Sequence, residues 1–182
     1  GIDYRAMLLV YLQLDVDRFT STDAHYFPES SISITRLSEP KNYSDLATPA
    51  GSTVLCAELP CAPGDATWAM NDQDLGDLVV RDIRAAGLPL QRAPVAVLVK
   101  RLRHAYPIYL AGYEKHFDAH DSWVSRQPRL LTFGRQGLFA HDNTHHALFM
   151  AYCAVECMAD GVFDRARWEM FRRIFATHVV ED

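Results

Sequence analysis

At 182 residues the chain can bury a sizeable core, as one domain or one large piece of a bigger fold. Hydrophobic residues at 49% and charged residues at 23% argue against a disordered chain, and the net charge of −5 gives no reason to expect nucleic acid as a partner. No apolar run approaches the roughly 20 residues of a membrane span, and no signal peptide is visible.

The chain opens at Gly1 without an initiator Met, which reads as a cut or processed end or a start within a fold. Ala6–Asp15 is rich in β-formers and predicts a buried strand followed by a turn. Ser31–Leu37 alternates small polar with apolar residues and predicts a strand with one buried face. Ser52–Leu59 predicts a third strand, bounded by Pro49-Ala50-Gly51 and by Pro60. Turns between these strands imply an antiparallel or mixed sheet. Asn71–Ala86 predicts a helix with Asn71 as N-cap and Leu75, Leu78, Val79 and Ile83 on one stripe, stopped by Gly87 and Pro89. Pro94–Leu102 predicts a fourth strand, whose apolar half gives way to Lys100-Arg101-Leu102-Arg103-His104. Tyr113–Val124 reads as helical. A last helix is expected over about Asp164–Val179, with Trp168, Phe171, Ile174 and Phe175 on its apolar face. The fold class is therefore α+β.

Leu130–Met150 is the segment best organised for chemistry. It reads as a short strand, Leu130–Phe133, then a turn with Gly134 and Gly137, then a helix running to about Ala159. Asp142, Asn143 and Thr144 all suit the start of that helix. Amides there would face the turn and favour an anion or an electron-rich ring; the same three elements also make an ordinary strand–turn–helix that binds nothing. Ala147, Ala151 and Ala154 allow close packing of the helix. His145 and His146 fall in its first turn, where the dipole disfavours a cation, so neutral imidazoles are expected.

Two further segments carry polar or aromatic groups. In Thr35–Ser44, Arg36 faces away from Leu37 and with Lys41 could clamp a carboxylate or phosphate, or else pair with Glu39 at the surface. In His104–Tyr109, Pro107 holds Tyr106 and Tyr109 on an extended stretch that could line a pocket for a flat ring. The cysteines Cys56, Cys61, Cys153 and Cys157 read as reduced, packed thiols of a cytoplasmic protein. Neither pair has C-x-x-C spacing, so no metal is expected, zinc on Cys153 and Cys157 with His145 or His146 being the sharper alternative.

In this order, TRLSEPKNYS, AYPIY and LLTFGRQGLFAHDNTHHA resemble the C-terminal half of flavin-dependent amine-oxidase-like proteins, the superfamily of protoporphyrinogen oxidase and UDP-galactopyranose mutase. The mutase-like branch fits better, with its Arg-x-x-Glu-x-Lys segment, aromatic-Tyr-Pro step and Gly-Arg turn. The resemblance covers about Arg5–Met158. It implies a substrate-binding sheet domain over 1–128 and, over 129–182, the returning strand and helices of a discontinuous FAD-binding domain. By resemblance, Gly134, Arg135, Asp142, Asn143 and Thr144 would contact FAD, and Arg36 and Tyr109 would face a small-molecule substrate. The Rossmann fingerprint Gly-x-Gly-x-x-Gly is absent from these residues. The expectation is therefore a C-terminal portion of an FAD-dependent oxidoreductase, weak or inactive without its N-terminal Rossmann segment. A flavin-dependent sugar-nucleotide mutase, or a non-catalytic ligand-binding domain, is the alternative.

Overall fold

Strand β1 (Asp3–Leu14) runs through a five-stranded sheet of order β2-β3-β4-β1-β5, in a computed structural model that describes residues 2–44, 49–88, 90–158 and 161–180. The other strands are β2 (Ala24–Tyr26), β3 (Arg36–Ser38), β4 (Thr53–Cys61) and β5 (Ala96–Ile108). The β1–β4, β3–β4 and β2–β3 pairs are antiparallel. β5 runs the same way against β1, because the Val95 amide donates to the Gln13 carbonyl while the Tyr4 ring meets His104 at the other end. The architecture is α+β, as the strand and helix patterns predict.

By compactness the chain divides into Tyr4–Ile108, a sheet unit, and Tyr109–Asp182 with Gly1–Asp3, a helical unit. The division falls ahead of the boundary expected near residue 128.

In the sheet unit, period-2 alternation puts Ala6, Leu8, Val10 and Leu12 of β1 on the same face as Leu55, Ala57 and Leu59 of β4. Helix α2 (Asp72–Ala85) covers that face with Leu75, Val79 and Ile83, each fully buried. Burying each such side chain is worth about 1.5–3 kcal/mol. The N-cap is the expected one: the Asn71 side chain accepts the Asp74 amide at 2.9 Å. Gly76 lets α2 come close to β5, since a Cβ there would lie 2.8 Å from Val97 Cγ2. A short helix α1 (Ala66–Ala69) precedes α2. Gly87 follows it with φ +76°, a left-handed stop; Pro89 lies outside the described residues.

Two strand expectations are corrected. Ser31–Leu37 is a strand only from Arg36, because the buried Asp82 carboxylate of α2 takes the Ser33 and Ile34 amides at 2.8 and 3.3 Å. A side chain captures the donors a ladder would have used. β4, in contrast, continues through Pro60, which pairs with Met7. The Glu58 carbonyl points toward Thr35, so Pro60, two residues on, directs its missing N–H past the last paired residue of that neighbour. No ladder bond is lost.

The helical unit contains α3 (Glu114–Ser125), α4 (Gly134–Gly137), α5 (Thr144–Glu156) and α6 (Arg165–Phe175). Met150, Cys153, Ala154 and Cys157 form the buried stripe of α5 and the turn after it, packed on Trp168 and Phe175 of α6. An Arg172–Asp121 ion pair of 2.8 Å ties α6 to α3. The expected apolar face of α6 holds for Trp168 and Phe175, but Ile174 is 44% exposed and belongs to the side. Leu130–Phe133 forms no strand, and the expected end of α5 near Ala159 falls outside the described residues.

Candidate functional site

The face of the sheet opposite α2 carries polar groups. Tyr26, Arg36, Glu58 and Leu9 stand in one cross-strand row, with Tyr11 opposite Cys56 beside it. Arg36 is ion-paired with Glu58, its side chain 37% exposed and that of Glu58 15%. Desolvation works against the Arg36 charge, but hydrogen bonds to Tyr26 and Glu58 outweigh it and hold the guanidinium protonated. Burial pushes the Cys56 thiol up, and burial together with Cys56 and Glu58 raises the Tyr11 phenol. The row offers phenol and guanidinium donors beside a carboxylate, a surface suited to hydrogen-bonding a polar small molecule.

This corrects two readings of the Arg-x-x-Glu-x-Lys segment. Arg36 pairs across the sheet with Glu58, and Lys41 does not join it in an anion clamp. Lys41 lies in the 3-10 turn Pro40–Tyr43 and is buried; its ammonium donates to the carbonyls of Asp17, Pro49 and Ser52 and to the Asp17 carboxylate. Glu39 is 2% exposed. Its carboxylate accepts the Phe19 and Thr20 amides, the Asn42 side-chain amide and the Thr53 hydroxyl at 2.7–3.2 Å. Both residues tie loops to the sheet. An anion at Arg36 must compete with Glu58.

In the helical unit, Gly134 has φ +78° and opens the turn before α5; a Cβ there would meet only Ala147 Cβ, at 3.9 Å, so the backbone angle is what calls for glycine. Phe139 also has positive φ, 50°, an uncommon conformation for a bulky residue. Its buried ring fixes it there, 4.8 Å from Tyr109, 4.9 Å from Tyr113 and 6.2 Å from Phe117 between centroids. Tyr109, just past β5, therefore stands on an aromatic platform and remains 38% exposed. Arg135 is half-buried, in α4.

The start of α5 is reciprocally capped. The Asn143 side chain accepts the N3 amide, and Nδ1 of His146 accepts the Asn143 amide at 3.2 Å. The capping box does not use the amides of Thr144 and His145, and both residues are exposed. These amides and Gly134 suit an electron-rich ring edge. The Asp142 carboxylate does not: it is 2% exposed and lies 3.5 and 3.4 Å from Nδ1 of His146 and His178. Along α5, Leu148, Tyr152 and Val155 form an exposed apolar face, 56–71% accessible.

Sequence reasoning missed Tyr11, Glu58, Phe139 and His178. The first two were legible, since each is the polar or aromatic residue opposite a buried neighbour in an alternating strand. Phe139 carried no signal, its φ being set by the aromatic cluster. His178 meets Asp142 only through the fold.

No protein-family model matches the chain, and no curated protein sequence matches it. Its fold is similar to that of solved structures. One structure, of reduced UDP-galactopyranose mutase, matches with TM-score 0.73 and 18% identity over 100% of this chain and 39% of that one. Another, of a protein assigned as a protoporphyrinogen oxidase from Exiguobacterium sp., matches with TM-score 0.53 and 15% identity over 98% of this chain and 36% of that one. The chain thus spans little more than a third of each.

Proposed function

We propose that this chain is the substrate-side sheet and the flavin-facing helical part of an FAD-dependent oxidoreductase whose nucleotide-anchoring Rossmann segment is a separate stretch of polypeptide. The observation that carries the reading is the start of α5, where the Gly134 turn precedes two exposed residues, Thr144 and His145, whose amides the capping box does not use, at the positive end of a 13-residue helix. The likeness to part of a UDP-galactopyranose mutase supports it. Bound FAD would supply hydride or electron transfer. The Thr144 and His145 amides, with Arg135, would stabilise negative charge on the ring edge. Within the sheet unit, the Arg36–Glu58 row would hydrogen-bond a polar substrate. The exposed Leu148, Tyr152 and Val155 face of α5 is apolar enough to be covered by the Rossmann segment.

A sugar-nucleotide mutase is the second reading, favoured by the higher TM-score to the mutase. Arg135 would then meet the phosphates, and Arg36 would do so only by loosening its hold on Glu58. The visible absorbance of the complete protein tests the flavin reading. Flavin bands, as purified or after FAD reconstitution, are expected; a well-folded preparation that takes up no flavin overturns it. Thermal protection by a uridine diphosphate sugar then separates mutase from oxidoreductase.

A further inference from the structure

We propose that Asp142, His146 and His178 bind one divalent transition-metal ion of the zinc class, which clasps the residues after α6 to the start of α5. This site is distinct from the flavin reading and does not depend on it.

One ligand atom from each residue can be chosen so that all three lie within 4.8 Å of one another. Asp142 Oδ1 is 3.5 Å from His146 Nδ1 and 3.4 Å from His178 Nδ1. A charge-assisted N–H···O bond would be about 2.7–2.9 Å. Two donor atoms at about 2.0–2.1 Å from a tetrahedral ion stand about 3.3 Å apart. The observed distances match the edge of a coordination tetrahedron better than a hydrogen bond.

His146 Nδ1 is unprotonated and spends its one lone pair on the Asn143 amide, so the ion would take this ring by displacing that amide or through Nε2. A carboxylate oxygen therefore faces an unprotonated nitrogen across 3.5 Å. Asp142 Oδ2 and His178 Nδ1 have no hydrogen-bond partner, although the two side chains are only 2% and 11% exposed. A buried carboxylate so poorly supplied with donors is costly, and a cation placed among the three acceptors removes the cost.

Chemistry selects the ion. Two imidazoles and one carboxylate suit Zn²⁺, Co²⁺ or Fe²⁺ and not Mg²⁺ or Ca²⁺, which favour all-oxygen shells. The Asp142 charge offsets the positive end of the α5 dipole, which would otherwise repel a cation. Phe149 and Phe175 lie 6.0 and 5.7 Å from the His178 ring and shield one side of the site. The rings of His146 and His178 stack at 4.3 Å with 15° between their planes, so coordination would rotate them to converge on the ion.

The test is calorimetric titration of the tag-free full-length protein, stripped with chelator, against Zn²⁺, with Co²⁺ as a spectroscopic probe. One Zn²⁺ per chain is expected, with affinity reduced about tenfold or more in His178→Gln and in Asp142→Asn. His145→Gln and Cys153→Ser should bind as the unaltered protein does. Co²⁺ should give the strong visible bands of four- or five-coordination without thiolate charge transfer. Absence of stoichiometric binding overturns the proposal, as does affinity that survives both ligand substitutions or falls with His145→Gln or Cys153→Ser. Should a ligand variant misfold, the Co²⁺ spectrum of the unaltered protein decides, and the weak spectrum of a six-coordinate aqua ion overturns the site.

Discussion

Glu39 in the sheet unit and Asp142 in the helical unit are both buried carboxylates, and they are treated in opposite ways. Four donors from Phe19, Thr20, Asn42 and Thr53 saturate Glu39. Asp142 has two imidazole nitrogens beyond 3.3 Å, and one oxygen without a hydrogen-bond partner. A saturated buried carboxylate is part of the fold, because its removal strands the groups it serves. An unsaturated one is destabilising as it stands and is a place where something else binds.

The largest effect should come from Glu39→Ala. It leaves two backbone amides and the buried Thr53 hydroxyl without their acceptor, and should cost on the order of 3–5 kcal/mol in urea unfolding. In chelator, Asp142→Asn should change stability by less than about 1 kcal/mol, or raise it, because a neutral amide can donate to His178 Nδ1, which has no hydrogen-bond partner. Equal losses from the two substitutions would break the comparison.

Thiols give a smaller, pH-dependent contrast. Burial is the main cause raising the Cys61, Cys153 and Cys157 thiols, and these are 1–3% exposed. An acid whose folded pKa is raised keeps its proton in the folded state while the unfolded state ionises. Stability is therefore full below the unfolded thiol value, about 8.5, and falls as pH rises through it. The helical unit holds two such thiols in adjacent turns, and the sheet unit holds Cys61 together with Cys56, which burial also raises. Trp168, buried beside the helical pair, should accordingly report a lower melting temperature at pH 9.5 than at pH 7.5, and Cys153→Ala should reduce that difference.

What the sequence showed was local. β1, α2 and the start of α6 follow from alternation, helical stripes and, for α2, the cap Asn71. The positions of Gly134, Asn143 and Thr144 at the turn and helix start were equally readable. The failures all involve partners distant in sequence. Asp82 takes amides from Ser33 and Ile34, which truncates a strand that alternation supports. Arg36 chooses Glu58 over Glu39 because cross-strand register places it there. Lys41 finds carbonyls of two loops, and His178 finds Asp142. A motif in sequence thus lists residue types, and the register of the sheet and the packing of the helices decide which of them remain available to a ligand.

The central claim, that the first turn of α5 faces a flavin, is most directly tested with Thr144→Pro in the complete protein. Proline at the first helical position keeps the helix, and the extended backbone of Asn143 (φ −84°, ψ 170°) already suits a following proline. The substitution removes one amide donor. Loss of a hydrogen bond to a charged ring, about 1.5–3 kcal/mol, should lower the two-electron flavin potential by roughly 30–60 mV with unchanged circular dichroism. A potential and an FAD affinity both equal to those of the unaltered protein would contradict the account.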